Sequence, residues 1–183
     1  MQLLPTPLAG LVVIEPRVFA DARGCFLETF QATRYARAGL PEIWLQDNLS
    51  RSVRGVIRGL HYQLQHPQAK LVSVIRGTIW DVNVDLRKSS PTFGRWHAVE
   101  LSDENHRQLY IPPGFAHGFC VLSDIADVSY KCTTLYDPAD ERTLLWNDPA
   151  LSIEWPAIDP RILSPKDAAG SPLARASVYL GLQ

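Results

Sequence analysis

"TIWDVNVDL" (residues 78–86) alternates apolar and polar residues without a break from Trp80 to Leu86. In an extended chain Trp80, Val82, Val84 and Leu86 share one face, and Asp81, Asn83 and Asp85 share the other. A helix would scatter both sets around its axis, so the stretch reads as a strand. The same reading spreads outward on both sides. "GVIRGLHYQ" (55–63) and "KLVSVIRG" (70–77) precede it; "WHAVELS" (96–102), "RQLYIPPG" (107–114), "HGFCVLS" (117–123) and "DVSYKCTTLY" (127–136) follow. "LVVIEP" (11–16), "CFLETF" (25–30), "IWLQDNLS" (43–50), "TLLWN" (143–147) and "LSIEWP" (151–156) complete a set of about ten short strands joined by Gly, Pro, Asp, Asn or Ser. That spacing predicts an all-β sandwich, jelly roll or barrel. "QATRYARAG" (31–39) is the best helix, stopped by Gly39 and Pro41, and 157–183 reads as irregular or short helix. No repeat and no linker interrupts residues 1–183, which predicts a single domain.

Composition narrows the function. The chain carries 46% hydrophobic and 20% charged residues and a net charge of −1. Such a field recruits neither nucleic acid nor membrane, so an anionic ligand must be held by local cations. Cys25, Cys120 and Cys132 form no CxxC pair, which predicts a reducing compartment. "MQLLPTPLAGLVVIEPR" lacks a basic leader and is broken by prolines, and no apolar run is long enough to span a bilayer. The expectation is a cytoplasmic protein.

Polar residues in the strands are the candidates for chemistry. "RGLHYQ" (58–63) places Arg58 and His61 in an apolar strand. Strict alternation would separate them, so a shared site requires a bulge or twist at Gly59. His61 reads as a satisfied structural histidine or as a general base oriented by a carboxylate. Lys70 reads as an edge lysine or as an ammonium aimed at developing negative charge. Tyr130 and Tyr136 fall on one face of their strand and read as packing residues or as the lining of a cavity. Turn "IPPGFAHGF" (111–119) re-enters a strand and gives His117 a fixed direction. With His61 it suggests a metal-binding jelly roll, but "LHYQLQHPQAK" offers no H-x-H and no Glu at useful spacing, so no metal site is expected. His66, beside Pro67, reads as an exposed loop residue. Of Arg51, Arg54 and Arg58, interleaved with β residues, Arg58 is the best phosphate clamp.

Together "FADARGCFLETF", "QDNLSRSVRGVIRGLHYQ", "QAKLV", "DVNVDLRKSSPTFGRW", "IPPGFAHGF", "YKCTTLYDP", "ERTLLWNDPALSIEWP" and "LSPKD" resemble the dTDP-4-dehydrorhamnose 3,5-epimerase family, in order from residue 11 to 170. The resemblance implies a double-stranded β-helix (cupin jelly roll) with short helices, and a homodimer with exchanged strands. It implies a dTDP-sugar substrate, epimerised without cofactor through an enolate. Carried over by motif, His61 is the base, Asp167 its orienting carboxylate, Lys70 the enolate stabiliser and Tyr130 the acid. His61 and Tyr130 should then face each other across a sugar-sized gap without a direct hydrogen bond. Arg23, Glu28, Gln46, Asp47, Asn48, Arg58, His117, Glu141 and Lys166 match substrate-binding positions, and Tyr136 matches the residue that stacks on thymine. Arg23 and Glu28 are expected to serve the neighbour's site. "ADARG" is less acidic than the usual turn, and "QHPQAK" varies the loop before Lys70. Relatives that epimerise one carbon, metal-dependent cupin oxygenases and non-catalytic sugar-binding jelly rolls are the competing readings.

Overall fold

The computed structural model describes residues 1–181. Strands β1 (Gln2–Pro5) and β2 (Val12–Glu15) lead into a ribbon, β3 (Val18–Asp21) and β4 (Gly24–Leu27), and helix α1 (Ala32–Arg37). Next come β5 (Gln46–Val53), β6 (Ile57–Gln63), β7 (Lys70–Arg76), β8 (Thr78–Asp85) and β9 (Trp96–Ser102). β10 (Gln108–Ile111), β11 (Phe115–Val121), β12 (Ile125–Cys132) and β13 (Glu141–Thr143) follow, and α2 (Pro165–Ala168) lies near the C-terminus. Two antiparallel sheets result, ordered β1-β2-β10-β7-β12-β5 and β13-β6-β11-β8-β9, with β3-β4 separate. This is a jelly roll, one of the all-β forms that the strand spacing leaves open and the one the resemblance implies.

The layers explain the strand patterns. Val72 and Val74 of β7, Ala126 and Val128 of β12, Ile79 of β8 and Phe119 and Val121 of β11 pack into one core between the sheets. Further along the same inward faces stand Lys70, Tyr130, Cys132 and His117, two residues on at each step. One alternation therefore builds an apolar core at one end of the sandwich and a polar cleft at the other. The outward face of the five-stranded sheet is also covered. Leu60, Tyr62, Val82, Val84 and Leu86 pack under Leu151, Tyr179 and the C-terminal segment. α1, through Tyr35, and the turn after it, through Leu40, cover the other sheet against Ile14 and Leu71.

Both faces of β8 are thus buried, and its polar face points inward. Asp85 is fully buried and accepts from Arg87 (2.8 and 2.9 Å), Ser90 (2.6 Å) and Thr92 (2.7 Å). Four donors offset the cost of burying that carboxylate.

Some expected strands shrink. "TLLWN" and "LSIEWP" run outside the strands except for Thr143. Pro149 separates them and Pro156 ends the second, and Trp155 Nε1 donates to the Trp146 carbonyl (2.8 Å) instead of a ladder forming. "CFLETF" ends as a strand at Leu27. β1 was not expected from "QLLP"; as an edge strand it tolerates Pro5 at its end. The "SVYLGLQ" tail also has a place. Tyr179 is buried, donates its hydroxyl to the Gln63 carbonyl (2.5 Å) and meets Tyr62 edge-on at 6.0 Å. Its last two residues lie outside the described ones.

Candidate active site

A cleft of about 340 Å³ opens at the polar end of the sandwich. β6 supplies Arg58 and His61, β7 Lys70, β11 His117, β12 Tyr130 and Cys132, and β5 Gln46, Asn48 and Ser50. Tyr136, Glu141 of β13 and Lys166 of α2 form its rim.

Gly59 makes this convergence possible. On β11, His117 pairs with His61, but Phe119 pairs with Arg58, so β6 carries one extra residue there. The bulge turns Arg58 back to the side that His61 faces. Gly59 has φ +115°, and a Cβ would lie 2.6 Å from Gly118 Cα and 2.6 Å from the His117 carbonyl oxygen. No L side chain fits that position.

His61 is held by its partners. Its Nε2 lies 2.5 Å from Asp167 Oδ1. Asp167 is buried, and its other oxygen accepts from Ser164 Oγ (2.7 Å). Ser164 is also the N-cap of α2 and accepts from the Asp167 N–H (3.1 Å). Burial pushes the Asp167 carboxyl up, but His61, Ser164 and the Gly59 N–H outweigh it and hold the carboxyl below its ordinary value. An ionised carboxylate can only accept, which assigns the donor role in this pair to Nε2 and leaves Nδ1 outside it. Glu141 Oε1 is 3.8 Å from that Nδ1.

Lys70 and Tyr130 complete the polar floor. Among the described residues no carboxylate lies within ion-pair distance of Lys70. Burial pushes its ammonium below the ordinary lysine value, against the pull of Cys132, Glu141 and Asp81. Burial likewise raises the Tyr130 phenol, which favours its neutral form. No hydrogen bond joins His61 to Tyr130. His117 Nε2 meets the fully buried Asp81 at 2.8 Å, and Asp81 also accepts from Asn83 Nδ2 (2.9 Å). Burial lowers His117 despite Asp81, so its ring is neutral.

The rim is a hydrogen-bonded clasp. Glu141 Oε2 accepts from Lys166 Nζ (2.6 Å) and from the Tyr136 hydroxyl (3.1 Å). Burial raises the Glu141 carboxyl, yet Lys166 and His61 outweigh it and hold it low. Arg58 binds only Ser52 Oγ (2.8 Å) and the Arg51 carbonyl (3.4 Å), so its charge is uncompensated. Arg51 instead forms a two-pronged pair with Asp127 (2.7 and 2.8 Å) and is spent as a clamp.

Sequence expectations divide here. Tyr136 does reach the cleft of Tyr130, but from a loop: β12 ends at Cys132. Asp47 points away on β5, between Gln46 and Asn48, and pairs with Lys131 (2.9 Å). Arg23 pairs with Asp21 and Glu28 with Arg34, both away from the cleft. Ser50, Gln63, Gln68, Phe119 and Cys132 line the cleft without having been singled out. For Ser50 and Cys132 the signal was available: each sits two residues from a recognised member of its strand. Among the described residues no three His, Cys, Asp or Glu side chains converge as metal ligands.

An imidazole held by a buried carboxylate, a lone ammonium and a phenol in one cleft suit proton transfer beside a carbonyl. The family profile described as dTDP-4-dehydrorhamnose 3,5-epimerase matches residues 5–175. The chain belongs to the dTDP-4-dehydrorhamnose 3,5-epimerase family. It is an isomerase with a cupin-type jelly roll. A family member from Methanothermobacter thermautotrophicus, named dTDP-4-dehydrorhamnose 3,5-epimerase, is 51% identical over 98% of this chain and 98% of its own. The crystal structure of the Legionella pneumophila 3,5-epimerase, in complex with dTDP-4-keto-L-rhamnose, superposes with a TM-score of 0.96 at 48% identity, covering 100% of this chain and 99% of that one. A Streptomyces niveus protein named dTDP-4-dehydrorhamnose 3-epimerase is 44% identical over 96% of this chain and 86% of its own. Among the described residues no helix is long and apolar enough to cross a membrane.

Proposed function

We propose that the chain, as one cupin-type domain, inverts C3 and C5 of dTDP-4-dehydro-6-deoxy-D-glucose to give dTDP-4-dehydro-L-rhamnose. The observation that carries this reading is the convergence of the His61–Asp167 pair, Lys70 and Tyr130 in a single cleft. The C4 ketone acidifies the protons on both neighbouring carbons, so no cofactor is required. His61 Nδ1 takes a proton, and its electron pair moves into an enolate. The Lys70 ammonium, having no carboxylate of its own, stabilises the oxyanion. Tyr130 returns a proton from the opposite face and inverts the carbon. A second cycle treats the other carbon.

Arg58, which pairs with no carboxylate among the described residues, meets the diphosphate. Tyr136 stacks on thymine, with Gln46, Asn48, His117, Glu141 and Lys166 as further contacts. Arg23 and Glu28 reach a neighbouring chain's cleft in a homodimer with exchanged strands. The three free thiols suit a cytoplasmic setting. The relative named a 3-epimerase keeps one second reading in view, inversion of C3 alone. Incubation of the dTDP-4-keto sugar with the protein in D₂O separates the two. Deuterium at both C3 and C5 of an L-configured product is expected; label at C3 alone selects the second reading, and no label overturns both.

A further inference from the structure

One base serving two carbons must be emptied between them. Each inversion leaves His61 with a proton on Nδ1 and Tyr130 as a phenolate. The next abstraction cannot begin until both are reset. Nε2 offers no exit, since Asp167 holds it at 2.5 Å inside a buried corner. Nδ1 faces the substrate, and the sugar covers it from the cleft side.

Among the described residues one carboxylate other than Asp167 stands within ion-pair reach of His61: Glu141, with Oε1 3.8 Å from Nδ1. Its other oxygen is bound to the Tyr136 hydroxyl and to Lys166, both exposed at the rim. We propose, resting on the epimerase reading above, that Glu141 is the proton exit of His61 and links Nδ1 to bulk water between the two inversions. At 3.8 Å the pair is a contact and not a hydrogen bond, so a small turn of the carboxylate closes it. The Nδ1–H bond then breaks with its electron pair left on nitrogen, and the proton joins Oε1. Oε1 passes it to water at the rim, which regenerates the carboxylate. Water at the other side of the cleft returns a proton to the Tyr130 phenolate, so the cycle consumes none. Glu141 acts through His61 and is a relay residue, separate from whatever contact it makes with the nucleotide. Lys166 and Tyr136 hold it in place and keep it ionised, which readies it to accept.

Two variants test this on the whole protein with the dTDP-4-keto sugar. At saturating substrate, the ratio of the first-inversion rate in a single turnover to kcat should rise about tenfold in Glu141→Gln, since the reset follows the first inversion. Added acetate should restore kcat in that variant without altering the first-inversion rate. Equal loss in both rates, no acetate rescue, or a change in KM alone would overturn the relay. Lys166→Met leaves Glu141 without its ammonium and raises its carboxyl. The relay needs the ionised form, so the acidic limb of kcat should move to higher pH as the proton is held more tightly. An unmoved limb with a weakened KM contradicts the relay even where Glu141→Gln does not fold. Failure of the epimerase reading itself is a different result: the unaltered protein would wash no deuterium into C3 or C5.

Discussion

Lys70 shows how one side chain trades stability for chemistry. It continues the inward row of Val74 and Val72, where another apolar residue would pack without cost. Lys70→Met should lower kcat about 10²- to 10³-fold, the loss expected when one oxyanion donor is removed. The same change should stabilise the fold by about 1 kcal/mol, seen as a raised melting temperature. The sign follows from the lowered ammonium value. Burying the charged form costs stability below the folded pKa, and that cost lifts as pH rises from there toward the ordinary value. The gap in melting temperature between variant and parent should therefore narrow at alkaline pH. Tyr130 stands at the other end of the proton path. Tyr130→Phe should reduce net inversion more than loss of the substrate's C–H proton, compared by product NMR and by deuterium wash-in. Equal losses would remove Tyr130 as the acid.

β6 is the element on which the site depends. Its bulge at Gly59 brings Arg58 and His61 to one cleft. Gly59→Ala combines a left-handed φ with backbone contacts of 2.6 Å. It should cost about 3 kcal/mol in urea unfolding and weaken dTDP binding through Arg58. A variant as stable as the parent would mean that β6 can form without the bulge. The bulge was legible in the sequence, because a cation and a base three residues apart around a glycine require one. The inward rows of β7, β11 and β12 were equally legible from alternation. The rim was less so. Glu141 and Lys166 are 25 residues apart, and only the fold shows that they share a hydrogen bond. Alternation carried Tyr136 into the strand of Tyr130, but the chain leaves the ladder after Cys132. Its backbone N–H instead donates to Gln46 Oε1 (2.8 Å), which a periodicity argument has no means to anticipate. Asp47 shows the reverse limit: adjacent strand residues point to opposite faces, so "QDN" as a block cannot all enter one cleft.

At the scale of the molecule, three apolar layers are closed and one surface is not. The ribbon β3–β4 exposes Phe19 at 50% and Phe26 at 70%, and the edge strand β5 exposes Leu49 at 69% and Val53 at 53%. Large exposed apolar residues at an open edge mark a pairing surface. The homodimer proposed above would cover them and would carry Arg23 and Glu28 toward a second cleft. Sedimentation should give twice the chain mass of 20.5 kDa. Phe26→Glu should shift the species toward monomer and reduce turnover at the same time. A fully active monomer would contradict the shared site.

The central claim is that one base, His61, serves both carbons, and deuterium wash-in tests it most directly. His61→Asn keeps the size of the ring's inner half but offers no nitrogen lone pair for the proton. In D₂O the parent should label C3 and C5 of the dTDP-4-keto sugar, and the variant should label neither above the enzyme-free rate. Substantial label at either carbon in His61→Asn would contradict the account.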